Sequence, residues 1–255
     1  MTSGLSVLLL AAVFGCAPLV LVARTLVSGA ARARHHEVGS AVFLQLGAIY
    51  AVLLAFIFNE VYGEYVVAEQ SINKECAALH ATAMLGDTLP EPARTGVENA
   101  ITQYVRAVIH QEWPAMTENH ASRTAMDAEQ RMFRTVASLS GADPSVSSLR
   151  STMLDELAQA HASRETRLFE MTLDVPPLIW VLLLCFSAVL VTLLLMANVE
   201  RFWPQTVLTA TFVGAVAFLL VVIRLLDSPF TGPLGLQPTD FHRTLERVTS
   251  LQPPA

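Results

Sequence analysis

Apolar positions in this chain come in long unbroken blocks, and polar ones gather between them. Four stretches carry no charged side chain: Met1–Ala23, Val38–Asn59, Val175–Val199 and Phe202–Ile223, each 22 residues or more. About 20 helical residues cross the hydrocarbon core of a bilayer. A chain in lipid must also satisfy its backbone hydrogen bonds internally, so the four stretches predict four transmembrane helices. Between the second and third the pattern changes to apolar residues at steps of three and four. Val61, Tyr65, Ala68, Ile72, Cys76 and Leu79 continue the second span as an amphipathic helix. Val97, Ile101, Tyr104 and Val108 mark another, and Met132, Phe133, Val136 and Leu139 a short third. Leu149, Met153, Leu157, Arg164, Leu168 and Met171 mark a fourth, which leads into the third span. No strand-like alternation is visible, and four such stripes bury themselves best against one another.

The expected fold is therefore an all-α membrane protein: four transmembrane helices, with an acidic four-helix bundle inserted between the second and third. Its parts are residues 1–59, two membrane helices with a basic loop at 24–37; residues 60–174, the bundle; residues 175–226, two further membrane helices; and residues 227–255, a turn and tail rich in Pro and Gly. The first stretch is read as a retained helix rather than a cleaved leader, because "MTSG" lacks the basic start of a signal peptide.

Composition agrees with a membrane protein. The chain is 53% hydrophobic and 15% charged, with a mean hydropathy of +0.48, where soluble domains carry about 25% charged residues. Charge is also unevenly placed. Residues 60–174 hold nine Lys and Arg against seventeen Asp and Glu, a formal −8, beside −6 for the whole chain. Arg24, Arg32 and Arg34 follow the first span, and Arg201 lies between the last two. Basic short loops stay cytoplasmic, which puts the bundle and both termini on the other side. Arg243 and Arg247 in the tail pull weakly the opposite way. The expected location is a bacterial inner membrane, with the insert periplasmic and the bilayer itself as the main partner.

The usual signatures of chemistry are missing. His80, His110, His120 and His161 show no paired zinc spacing, and no phosphate-binding glycine loop or nucleophile elbow occurs. Cys16, Cys76 and Cys185 are too scattered for a disulfide framework. An acidic chain without a basic patch argues against nucleic acid. No cofactor, metal site or catalytic constellation is expected, and the chain is not read as an enzyme.

The order of several motifs is more specific: "HHEVG", then "LGAIYAVLLAFIFNEVYGEY", "LPEPAR", "QEWP", "RETRL", "PPLIW" and finally "LLDSPFTGPL". Together they resemble the bacterial bestrophin-like membrane family over nearly the whole chain. Arg224, Asp227, Pro229, Phe230 and Gly232 match that family's closing segment of the last membrane helix. More remotely the chain is similar to bestrophins, pentameric anion channels whose second membrane helix lines a hydrophobic neck. That resemblance puts neck positions at Ser40, Leu44 and Ala48. These side chains are smaller than a bulky gate, and only Asp240 stands where an acidic calcium clasp follows Pro-Phe-Gly, so no calcium site carries over. The bestrophin insert is moreover cytosolic, and an acidic vestibule repels anions.

The functional expectation is a homo-oligomeric bestrophin-like ion channel. The alternative is a membrane-anchored sensor or assembly partner whose insert binds a ligand or protein, and a purely structural subunit is a third reading.

Overall fold

The computed structural model describes residues 15–26, 36–140, 144–197, 199 and 201–250, and among these no strand occurs. The helices are α1 (Cys16–Leu26), α2 (His36–Asp87), α3 (Ala93–Ala107), a π-helical turn (Val108–Glu112), α4 (Trp113–Met116), α5 (Arg123–Ala137), α6 (Pro144–Glu170), α7 (Pro177–Leu195), α8 (Phe202–Leu226) and α9 (Thr239–Ser250). Three of them, α2, α7 and α8, are long and apolar enough to cross a membrane. Most of the first expected span, residues 1–14, lies outside the described residues, as do Arg32 and Arg34. Its end is the 11-residue α1.

The chain divides into two compact units, residues 1–63 with 174–227, and residues 64–173 with 228–255. The 52 residues of α2 form one helix shared by both. No proline interrupts α2. It ends ahead of Pro90, where Thr88 and Leu89 turn their amides back to Leu85 and Gly86, because the residue before a proline avoids the helical region.

In the first unit, Tyr50, Leu54 and Val61 of α2 pack with Leu183 and Leu190 of α7 and Ile223 of α8. Val20 and Ala23 of α1 meet Leu195 and Phe202. Polar groups inside this apolar layer pair with each other, as lipid demands. The Tyr50 hydroxyl lies 2.6 Å from Ser187 Oγ. Arg24 Nε donates to Gln205 Oε1 at 2.9 Å, and Gln205 Nε2 donates to the Leu195 carbonyl at 3.0 Å. Prolines stand where their missing N–H is harmless, Pro177 opening α7 and Pro204 in the first turn of α8. The outward faces are apolar: Phe56, Leu178 and Trp203 are more than 70% exposed. A surface of this kind implies contact with the bilayer, and the chain is a membrane protein.

In the second unit, the C-terminal part of α2 packs with α3, α5 and α6 around one core containing Leu79, Ile101, Met132 and Leu157. Gly86 permits close approach, since a Cβ there would stand 3.0 Å from Val97 Cγ1. The helices run longer than the apolar stripes suggest: α5 begins nine residues before Met132, where the Ser122 hydroxyl caps it. The tail is also structured, which the sequence reading did not anticipate. Phe241, Thr244 and Val248 bury one face of α9, and Phe230, Phe241 and Val248 join the same core.

Candidate functional site

The three proposed neck residues sit on the membrane part of α2, and all three are exposed, Leu44 at 73%. They belong to a longer stripe. Ser40, Leu44, Ala48, Ala51, Ala55 and Tyr62 follow helical steps along one exposed strip, while Tyr50, Leu54 and Val61 are buried on a neighbouring face about a quarter-turn away. Small side chains dominate the middle of the stripe, flanked by Gln45 and Asn59, which are also exposed.

The segment closing α8 falls in two places. In the first unit, Arg224 Nη1 donates to Asp227 Oδ2 at 2.6 Å, and the Val175 amide donates to Asp227 Oδ1 at 2.8 Å. The Asp227 carboxylate is buried and holds the chain entering α7 beside the chain leaving α8. In the second unit, Pro229 accepts the Leu236 amide at 2.8 Å and Gly232 has φ +80°. Phe230 packs edge-on against Trp113. The tail thus turns onto the bundle core, and Gly232 supplies the left-handed residue that the reversal needs.

The second unit also contains a buried charge network absent from the sequence expectations. Arg167 is fully buried; its Nε donates to Glu75 Oε2 at 2.9 Å and its Nη2 to Glu112 Oε1 at 2.8 Å. Arg164 Nη2 donates to Glu112 Oε2 at 2.6 Å, and Arg164 Nη1 to Glu129 Oε2 at 2.9 Å. The Tyr104 hydroxyl donates to Glu75. His161 closes the far end, its Nδ1 3.2 Å from Glu129 Oε1 and its ring half exposed. The Arg167 guanidinium further lies 5.7 Å from the Trp113 ring and 5.3 Å from that of Phe241, within cation–π range.

Burial works against charge on both arginines, but the surrounding glutamates outweigh it and hold them above the ordinary arginine range. Burial, then the charge of Glu75, pushes the Tyr104 phenol well up. Glu112 and Glu75 each accept from two or more donors, so neither is a spare base. The network is saturated and ties α2, α3, α5 and α6 together.

The π turn helps deliver Glu112. Trp113 donates five residues back to Val108, and Pro114 has no N–H to continue the ordinary ladder. In sequence the network had one faint signal. Arg164 and Arg167 continue the steps of Leu157 and Ala160 on the inward face of α6, and Glu75 does the same between Ile72 and Leu79. A charge in phase with a core stripe is seldom solvated. Among the described residues, no group of three or more His, Cys, Asp or Glu side chains is placed to hold a metal.

These features define a helical membrane protein with a charge-stapled helical second unit. Residues 10–241 match the Bestrophin-like domain, and the chain belongs to that family. A bacterial bestrophin homologue from Klebsiella pneumoniae aligns with a TM-score of 0.73 at 17% identity, covering 95% of this chain and 98% of its own. A variant of that homologue gives 0.76 at 15% identity, covering 94% and 99%. A structure described only as a membrane protein gives 0.71 at 17% identity, with 98% of both chains covered. At such identities the likeness is one of fold. No curated protein sequence matches the chain.

Proposed function

We propose that this chain is one subunit of a homo-oligomeric, channel-like membrane protein, with the exposed stripe of α2 facing a central axis. The observation that carries this reading is the stripe itself. Ser40, Leu44 and Ala48 are exposed on a helix that packs into the first unit through a different face, that of Tyr50, Leu54 and Val61, in a chain of the Bestrophin-like family. Membrane spans without charged side chains suit a passive pathway better than a proton-coupled pump, which places ionisable groups at mid-depth. The saturated charge network is a structural staple in this account, and no catalytic role is assigned to any residue.

The same reading places the protein in a bacterial inner membrane, with the acidic second unit outside. Light scattering of the purified chain tests the oligomer, and ion flux into reconstituted vesicles tests the pathway. The proposal expects a ring-sized assembly and flux that Ala48→Phe reduces by narrowing the axis. A monomer, or an absence of flux, would favour the sensor or assembly-partner reading instead.

A further inference from the structure

In the second unit, a groove of about 400 Å³ is lined by α2 and α9. Its polar lining comes from Asn73 and His80 on α2, and from Asp240, Arg243 and Arg247 on α9, with Met84 among the apolar part. Arg243 Nη1 donates to Asp240 Oδ1 at 3.0 Å. Arg247, one turn further along, makes no ion pair among the described residues. His80 Nδ1 is buried with no hydrogen-bond partner. Two guanidiniums against one carboxylate give the groove a positive balance, although residues 60–174 carry a formal −8. A buried ring nitrogen without a partner is uncommon, because such groups are almost always satisfied. The volume lies within the range of small-molecule sites.

We propose that this groove binds the oxyanion group, phosphate or carboxylate, of a small soluble molecule. Arg247 supplies the open charge and a planar fork suited to two anion oxygens. Arg243 contributes the second guanidinium while it stays anchored by Asp240. His80 adds a polar ring to the lining, and Met84 with the adjoining alanines leaves apolar surface for the rest of the molecule. The site is independent of the channel reading, since it uses no residue of the α2 stripe.

The test uses the full chain in detergent, with inorganic phosphate and citrate as probes and chloride at matched ionic strength as the baseline. The expected result is a rise in melting temperature with at least one probe. Arg247→Gln should weaken the concentration dependence roughly ten-fold, and His80→Ala should weaken it as well. Arg131→Gln, at an exposed position on α5, should leave it unchanged. No shift with either probe overturns the proposal, as does an equal shift in wild type and Arg247→Gln. Light scattering supplies the third check: if Arg247→Gln lowers the oligomeric mass, the groove is a contact between copies and not a ligand site.

Discussion

Arg167 has no path to water, and its charge is tolerable only because Glu75 and Glu112 surround it. Removing one partner of a buried ion pair leaves an uncompensated charge, at a cost of about 3–5 kcal/mol. Arg167→Ala should therefore lower the melting temperature of the purified chain sharply. Arg243→Ala, which breaks only an exposed pair with Asp240, should cost about 0–1 kcal/mol. Equal effects of the two would mean that the network is not a staple. Glu98 is a second test at this scale. Its carboxyl is buried, one oxygen has no partner, and burial raises it from the ordinary carboxylate range. A raised acid favours the folded state while it is protonated. That benefit is complete below the unfolded value and is lost as pH rises through the folded one. Glu98→Gln should thus melt higher than wild type at pH 7.5, with the gap closing by about pH 4. A gap that does not change with pH would contradict the assignment.

At the scale of elements, periodicity made the helices legible. The steps of Val61 to Leu79 and of Leu149 to Met171 mark faces that the structure largely buries or half-buries. What periodicity hid was which partners the in-phase charges would find, because Glu75 on α2, Glu112 on the π turn and Arg167 on α6 are far apart in sequence and meet only when the helices converge. The tail was hidden for another reason. Phe241, Thr244 and Val248 have helical spacing, but a stretch preceded by several prolines and glycines reads as a turn. The turn itself is testable. With φ +80° at Gly232, a Cβ costs roughly 1–2 kcal/mol, so Gly232→Ala should destabilise the docking of α9. Limited proteolysis should then cut residues 233–250 faster than in wild type, and an unchanged cleavage rate would contradict this.

For the whole molecule, family membership and fold place the chain in a membrane, while sidedness rests on Arg24, Arg32, Arg34 and Arg201. If those basic loops are cytoplasmic, a cysteine replacing the exposed Lys74 should react with an impermeant reagent added outside intact cells. Labelling only after lysis would invert the topology. The background for such work needs Cys185 replaced, since it is exposed while Cys16 and Cys76 are buried. The proposed pore face was not legible from periodicity, because a stripe of Ser, Leu and Ala facing lipid and one facing an axis look alike in sequence. The most direct measurement is thiol block of ion flux in reconstituted vesicles, comparing Leu44→Cys with Leu54→Cys on that background. Leu44 lies on the exposed stripe and Leu54 on the packed face. A pore lined by the exposed stripe of α2 should give flux that a charged thiol reagent blocks strongly for Leu44→Cys and barely alters for Leu54→Cys. Absence of flux, or flux equally indifferent to the reagent at both positions, would contradict a pore lined by α2.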